Sequence, residues 1–263
     1  MIFVNPFSQL YEFLPEYTMQ FFVILMIMMV ILGTLLDIIH KKNVKYFFEN
    51  IKKSKKNATR TLNTSEKATI VVKTVSVDIL TTSELNGKRR VAHILGMYGT
   101  IIFWLTSVIM IFCYSTIFTT IPIIYPILWH LGSLMTVIGG CWFWFFLRVD
   151  VSAEAFPWYR YTKADQFVLA LILTQSSGFI WSFLQYYKIS GLDTLFLILF
   201  ILFNIMLFGG VYWSKFAHMF YKPGAALQKN FAEADGSRDN LPEPVDKPKQ
   251  FGKGISREAP RHY

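Results

Sequence analysis

The sequence predicts an all-α integral membrane protein built as a five-transmembrane-helix bundle, and three observations support this prediction. Of the 263 residues, 53% are hydrophobic and 17% are aromatic, a high content that excludes a disordered chain and argues against a soluble domain. The Leu, Ile and Phe residues form continuous blocks instead of the single apolar stripe of a soluble helix. Lys and Arg crowd the ends of these blocks, so the net charge of +9 indicates membrane orientation rather than nucleic-acid binding.

The five predicted spans are long enough to cross a bilayer, because a membrane helix needs about 20 apolar residues. They are residues 18–39, 91–116, 123–147, 164–187 and 194–220. The first block has no basic segment before it and is followed by lysines, so it is predicted to be a span and not a cleaved signal peptide. Residues 117–125 carry no charge and are predicted to form a tight hairpin at one membrane face.

The distribution of Lys and Arg predicts which ends of the spans face the cytoplasm. The loops after spans one and three and the segment after span five are basic, whereas the N-terminal segment carries Glu12 and Glu16. We therefore expect an outer N-terminus, a cytoplasmic C-terminus and a multi-pass protein of the bacterial inner (cytoplasmic) membrane. Arg148 and Asp150 are predicted to form a solvated helix end at the cytoplasmic face.

Three parts are predicted along the chain: an outer N-terminal segment 1–17, a five-helix membrane domain 18–222 with a cytoplasmic loop 41–90, and an extended cytoplasmic tail 223–263. Within the loop, residues 43–56 alternate aromatic and basic side chains, as an interfacial amphipathic helix does. Residues 66–85 fit a partly buried helix better than short strands. The tail is rich in Pro, Gly and charge, so it is predicted either to order on a partner protein or to remain solvated.

The placement of the five histidines is the main functional signal. His93 begins span two and His218 ends span five, so the predicted topology puts both near the cytoplasmic face. Two imidazoles at one depth can hold a haem iron from both sides, which favours electron transfer; the alternative is that both are ordinary interfacial residues. His130 begins span three at the outer face, about 30 Å away, and cannot share that iron, whereas His40 is a substitute ligand.

Other polar residues are candidates for the surroundings of a cofactor. Arg89, Arg90 and Lys215 are candidate partners of haem propionates, with membrane orientation as the alternative role. Gln175 and Ser176 lie near the middle of span four and are candidates for the lining of a quinone or haem edge. The alternative for these two residues is hydrogen bonding between helices.

Two segments resemble a known family. They are Val-Ala-His-Ile-Leu-Gly at 91–96, followed by an aromatic apolar run, and Trp-Ser-Lys-Phe-Ala-His-Met-Phe-Tyr-Lys-Pro at 213–223. Both are similar to membrane cytochrome b subunits of the nitrate reductase gamma-like superfamily, and closer to those serving sulfite, adenylylsulfate and heterodisulfide reductases. The tail segments 231–236 and 257–263 look most like the membrane anchor of adenylylsulfate reductase in sulfur-oxidising bacteria. The resemblance covers most of residues 18–223.

The resemblance implies that His93 and His218 are the axial ligands of one haem b, with a quinone as redox partner. It also implies a soluble cytoplasmic partner, with adenylylsulfate reductase as the suspected one. Two-haem relatives carry a further histidine in each of spans two and five, which this chain lacks, so one haem is expected. Cys113 and Cys141 form no CxxC motif, so the iron–sulfur domain of some relatives is not encoded here.

The leading functional hypothesis is a membrane anchor and quinone-linked electron-transfer subunit for a soluble reductase of sulfur metabolism, and not a standalone enzyme. The direction of electron flow is left open. One alternative is a haem-free anchor that only docks the soluble reductase, and a weaker one is a nitrate reductase gamma-type cytochrome b. A small-solute transporter has little support, because no inverted repeat and no charge in the middle of a span is visible.

Overall fold

The computed structural model describes residues 2–15, 17–41, 43–114, 120–150 and 155–238. Within these ranges the chain is helical and contains no strand, which confirms the all-α prediction. The α-helices of this part of the chain are α1 (Thr18–Lys41), α2 (Asn43–Asn57), α3 (Thr64–Lys73), α4 (Gly87–Cys113), α5 (Ile124–Trp142), α6 (Gln166–Tyr186), α7 (Leu192–Gly209) and α8 (His218–Ala234).

Five of these helices, some extended by a turn of another helix type, are long and apolar enough to cross a membrane, which confirms the predicted number of spans. Their ranges are Thr18–Lys41, Gly87–Cys113, Ile124–Leu147, Lys163–Tyr186 and Leu192–Tyr212. The third span includes a π-helix at Phe143–Leu147, and 3-10 turns lie at the start of the fourth and the end of the fifth. Residues 117–119 of the predicted hairpin 117–125 lie outside the described residues.

The fifth span is shorter than predicted. It ends at Tyr212 and not at residue 220, because α7 stops at Gly209 and is followed by a second glycine, the poorest helix former after proline. A 3-10 turn at Lys215–Ala217 follows, and His218 is the first residue of the next helix, α8. The prediction that His218 ends the fifth span is therefore wrong.

The start of the tail also differs from its prediction. Residues 223–234 are helical and not extended, because α8 runs from His218 to Ala234 with Pro223 inside it. The residues after Pro223 include Ala225, Ala226 and Leu227, which are strong helix formers. Residues 239–263, the remainder of the predicted extended tail, lie outside the described residues.

The chain divides into two compact units. Unit 1 comprises Met1–His40 and Gly87–Ala217, and it contains the spanning helices. Unit 2 comprises Lys41–Asn86 and His218–Tyr263. Unit 2 therefore combines the loop after the first span with the segment after the fifth, two regions for which the sequence indicated no pairing.

In unit 1, α4 and α5 are in backbone contact. A Cβ added at Gly99 would lie 2.6 Å from Thr136 Oγ1 and 2.7 Å from the Gly132 carbonyl oxygen. One added at Gly139 would lie 2.6 Å from the Ala92 carbonyl oxygen. Small residues permit this approach, which is the usual way in which membrane helices gain packing energy.

Aromatic side chains form the core of unit 1 and attach the N-terminal segment to it. The Phe103 and Trp129 rings lie 4.8 Å apart, and Phe7 lies 5.8 Å from both Trp129 and Trp181. The Tyr11 hydroxyl donates to the Ile111 carbonyl oxygen at 3.1 Å. Burial raises the pKa of Tyr11. The predicted outer segment is therefore packed into the bundle.

Polar contacts hold unit 2 together. The Asn230 amide donates to both Thr74 Oγ1 and Asp78 Oδ2 at 2.7 Å, which joins α8 to the π-helix Thr74–Ile79. The Thr59 amide N–H donates to the Asp235 carbonyl oxygen at 3.0 Å. The predicted helix at 43–56 is confirmed as α2, and the one at 66–85 is confirmed as α3 with the π-helix as far as Ile79, whereas residues 80–85 are not helical. Four spanning helices separate the two segments of unit 2 along the chain.

Candidate functional site

His93 lies in the second turn of α4 and is partly buried within unit 1. The residue before it, Ala92, is buried, and its carbonyl oxygen is one of the atoms in contact with α5 at Gly139. The backbone that carries His93 is therefore held by the closest helix contact of the bundle. Such support is what a metal-ligating side chain needs for a fixed orientation.

His218 is exposed at the start of α8 and belongs to unit 2. The two residues before it, Phe216 and Ala217, are buried in unit 1, where the Phe216 ring lies 5.4 Å from that of Phe167. The proposed ligand pair is thus divided between the two units and is a feature of neither. The haem remains a prediction that rests on the sequence.

His40, the substitute ligand, lies at the end of unit 1. It is exposed, its Nδ1 is 3.0 Å from the Leu36 carbonyl oxygen, and its ring contacts that of Tyr212 edge-on at 5.8 Å. A backbone carbonyl at Nδ1 leaves Nε2 as the nitrogen that would bind a metal. Unlike His218, His40 belongs to the same unit as His93.

The candidate propionate partners all lie in unit 1. Arg89 and Arg90 are half-buried in the first turn of α4, just before His93. Lys215 is exposed in the 3-10 turn Lys215–Ala217. Each of these three residues takes part in an interaction within the protein.

Gln175 is the most unusual of the predicted site residues. It is 0% exposed, and neither its side-chain oxygen nor its side-chain nitrogen has a hydrogen-bond partner among the described residues. The Thr174 hydroxyl and the Trp104 indole N–H are also buried and have no hydrogen-bond partner among the described residues. Ser133 donates to the Gln175 backbone carbonyl at 2.9 Å, so this polar region joins α5 to α6 through backbone and not through the Gln175 amide. Ser176 is half-buried.

Unpaired polar groups in an apolar interior carry a free-energy cost of about 1–3 kcal/mol each. A ligand with a hydrogen-bonding oxygen would remove part of that cost at Gln175. Because the side chain is fully covered, such a ligand must first displace the groups that cover it.

His130 has a structural environment that the sequence did not reveal. It is 3% exposed, its Nδ1 is 2.7 Å from the Pro126 carbonyl oxygen, and its Nε2 is 2.9 Å from Ser182 Oγ. Ser182 also lines a small cavity of about 10 Å³ with Gln185 and residues of the N-terminal segment, about the volume of one water molecule. Both ring nitrogens of His130 are therefore used within the fold, which gives a second reason to exclude it as a haem ligand.

The prediction of a solvated helix end is wrong for Arg148, which is buried, whereas Asp150 is exposed. The guanidinium is 0% exposed and donates to Asp165 Oδ2 at 2.6 Å and to the carbonyl oxygens of Pro157 and Arg160. It also lies 4.3 Å from the centre of the Trp144 ring. These contacts fix the described part of the connection between the third and fourth spans.

One sequence signal for this arrangement was present. Thr162 and Asp165 have the spacing of a capping box. At the start of the fourth span, the side chain of each residue accepts a hydrogen bond from the backbone N–H of the other. This spacing does not show, however, that Asp165 also accepts a hydrogen bond from the buried Arg148.

Among the residues that the structure describes, no group of three or more His, Cys, Asp or Glu side chains could hold a metal ion. A haem with two histidine ligands needs no such group. No family model, no curated protein and no solved structure matches this chain significantly.

Proposed function

We propose that this protein is the membrane anchor and quinone-linked electron-transfer subunit of a soluble oxidoreductase of sulfur metabolism, with adenylylsulfate reductase as the partner to test first. In this proposal one haem b carries electrons between the soluble enzyme and a quinone. The resemblance of residues 91–96 and 213–223 to membrane cytochrome b subunits motivates the electron-transfer part.

The observation that supports the proposal most is unit 2. A protein that only crossed a membrane would need short connections, yet the described residues of 41–86 and 218–238 form a separate unit that is largely helical. Residues 41–86 and 218–238 contain 13 Lys and Arg against 6 Asp and Glu, which gives +7 of the chain's net +9. Unit 2 is thus a basic surface of the kind that attracts an acidic partner or an anionic membrane.

The number of spans is consistent with this arrangement. Hydrogen bonds such as Thr59 to Asp235 require both segments of unit 2 to be on the same side of the membrane. Four spans lie between the segments, and an even number of crossings returns the chain to its starting side. The positive charge of unit 2 favours the cytoplasmic side, where a soluble partner would dock.

His93 and His218 would hold the haem, with Arg89, Arg90 and Lys215 as partners of its propionates. When bound, the haem supplies one-electron transfer. The residues of the chain orient it: the α4–α5 backbone contact fixes His93, and Phe216 anchors the segment that leads to His218. The unpaired amide of Gln175 is the candidate hydrogen-bond donor to a quinone carbonyl or haem edge.

An absorption spectrum of the purified full-length protein tests the electron-transfer part. We expect a reduced haem b spectrum that His93→Ala and His218→Ala each abolish. His130→Gln is the matched control, because glutamine can replace the hydrogen bonds of His130 and the haem should be retained. A haem spectrum that persists in both alanine variants would refute the assignment. If His40→Ala abolished the haem spectrum and His218→Ala did not, His40 would be the second ligand.

A haem-free anchor is the second candidate, and the exposure of His218 at the start of α8 favours it. A wild-type protein without haem that still retains the reductase at the membrane would establish this alternative.

Docking is tested by truncation after Arg238, which leaves α8 and its contacts to α3 and the π-helix intact. We expect the truncated protein to insert and keep its spectrum but to release the reductase. Reductase that co-purifies equally well would move the docking surface from residues 239–263 to the helical part of unit 2.

A further inference from the structure

Helix α2 has one face that packs within unit 2. Ser54 is buried, and its hydroxyl lies 3.3 Å from that of Ser237. Phe47, two turns earlier, is half-buried and lies next to Gly224 of α8. Residues seven apart share a face of an α-helix, so the side of α2 that contains Phe47 and Ser54 is turned towards the rest of unit 2.

The opposite side of α2 carries a basic stripe, which we define as Lys45, Phe48, Lys52 and Lys55. These positions are spaced by three, four and three residues and so lie on one face. Phe48 is 57% exposed although it is one of the largest apolar side chains of α2, and all three lysines are exposed. Lys45 pairs loosely with Glu49 at 3.8 Å, whereas no ion pair involves Lys52 or Lys55 among the described residues.

The chain itself places the start of α2 at a membrane surface. The first span ends at Lys41 and α2 begins at Asn43, so a single residue separates them. A helix that begins there cannot start more than a few ångströms from the end of the span. Its 15 residues extend for about 22 Å, which is long enough to lie along the interface.

We propose that the basic stripe of α2 docks on anionic lipid headgroups, with the Phe48 ring inserted at the boundary between headgroups and acyl chains. Lysines at the rim and an aromatic ring between them are the composition of an interfacial helix. Anionic lipids attract each lysine near the surface. The sequence predicted an interfacial helix without distinguishing its aromatic residues, whereas the structure places Phe47 next to Gly224 of α8 and leaves Phe48 exposed.

An acidic surface of a soluble protein is the other partner that three lysines could fit. The lipid is favoured because it is next to α2 whenever the first span is inserted, whereas a protein partner must also leave room for the membrane. Phe48 adds to this preference, since an exposed apolar ring between lysines of the stripe matches the change from polar to apolar surroundings across a membrane interface better than a flat protein contact does.

Hydrogen exchange of residues 43–57 in the full-length protein tests the proposal. The protein is placed in nanodiscs of phosphatidylcholine alone or of phosphatidylcholine with phosphatidylglycerol. We expect slower exchange in the anionic nanodiscs, by about fivefold for each lysine that contacts a headgroup. Added salt should reduce the difference, because exposed charges are screened.

Matched double variants locate the effect. Lys52→Gln with Lys55→Gln should remove most of the lipid dependence, and Phe48→Ala should reduce it. Lys67→Gln with Lys73→Gln removes the same charge from α3 of the same unit and should leave the dependence unchanged.

Three results would overturn the proposal. Equal exchange in the two kinds of nanodisc would exclude recognition of anionic lipid. An equal effect of the two double variants would assign the attraction to the net charge of unit 2 and not to the stripe. Protection that depends on a co-isolated soluble protein and not on lipid charge would assign the stripe to that protein.

Discussion

Unit 1 and unit 2 are both helical, but different interactions hold their helices together. In unit 1, α4 and α5 touch through Gly99, Gly132 and Gly139, and aromatic rings fill the remaining interior. In unit 2, hydrogen bonds from side chains such as Asn230 and Thr59 join the segment 41–86 to the segment that begins at His218. Lipid tails are as apolar as leucine, so helices in a membrane gain little from apolar burial and depend on close approach. The contrast teaches that unit 1 adds close backbone approach to hydrogen bonds between helices, such as the one from Ser133 to Gln175, whereas hydrogen bonds join the two segments of unit 2.

The largest effect is expected where unit 1 departs from this pattern, at its buried ion pair. Arg148→Leu leaves the Asp165 carboxylate and two backbone carbonyls without their buried donor. We expect a loss of about 3–5 kcal/mol in the free energy of unfolding, measured by denaturant titration in detergent.

Arg160→Gln is the control in the same connection, because Arg160 is exposed and its guanidinium only lies 4.7 Å from the Phe156 ring. It should cost less than about 1 kcal/mol. Equal losses of unfolding free energy for the two variants would mean that the burial of Arg148 does not determine its contribution to stability.

The next largest effect tests the close approach of α4 and α5. Gly99→Ala places a methyl group 2.6–2.7 Å from Thr136 Oγ1 and from the backbone of α5, which cannot move aside as a side chain can. We expect a loss of about 1–3 kcal/mol in the same titration.

Gly96→Ala is the matched control, since a Cβ at Gly96 meets nothing within 4 Å. The alanine should be neutral or should stabilise α4 by up to about 1 kcal/mol through its higher helix propensity. A stable Gly99→Ala protein would show that the two helices can separate without loss.

A smaller effect is expected for the polar contacts of unit 2. Asn230→Ala removes two hydrogen bonds, to Thr74 and Asp78, and should cost about 1–2 kcal/mol, seen as faster hydrogen exchange in α8. Donation from Asn230, followed by that from Ser83, lowers the pKa of Asp78. The stabilisation is therefore present above the ordinary pKa of about 3.9 and is lost as the pH falls through the lower, folded-state value.

The difference between wild type and Asn230→Ala should thus be constant near neutral pH and shrink below about pH 4. Asp78→Asn is the control, because it removes the charge and with it the pH dependence. A difference that grew with acid would contradict the assigned role of Asp78.

The smallest effect is expected for the exposed ion pair of unit 2. Lys222 and Glu84 lie 3.5 Å apart, with side chains that are 49% and 38% exposed. Lys222→Gln should change the stability of unit 2 by less than about 1 kcal/mol, and salt should remove even that. A larger loss would show that ion pairs, and not hydrogen bonds, hold unit 2 together.

The sequence predicted the spans well because an apolar block is a local property. The first four spans begin and end within a few residues of their predicted bounds. The end of the fifth span was predicted wrongly because apolar residues continue past Gly209 and Gly210. The composition therefore did not indicate that α7 ends at Gly209. That error also misplaced His218.

Unit 2 and the polar contacts of unit 1 could not be predicted in the same way. The partners of Asn230 are 156 and 152 residues away in the chain. Ser182, one of the two partners of His130, and the partners of Arg148 belong to other helices or loops. Nothing periodic marks such pairs. For the candidate site, the sequence identified Gln175 by its polarity inside a span, but the absence of a partner for its amide among the described residues is visible only in the structure.

The separation of the two halves of unit 2 has a consequence for synthesis. Thr59 bonds to Asp235, which lies 176 residues later, and a ribosome that adds about 5–20 residues per second needs roughly 9–35 s to reach it. During that time α2 and α3 are without α8, while the four remaining spans are inserted one after another. If one of them failed to insert, α8 would emerge on the wrong side of the membrane and unit 2 could not close. Unit 2 can therefore form completely only after all five spans have been inserted.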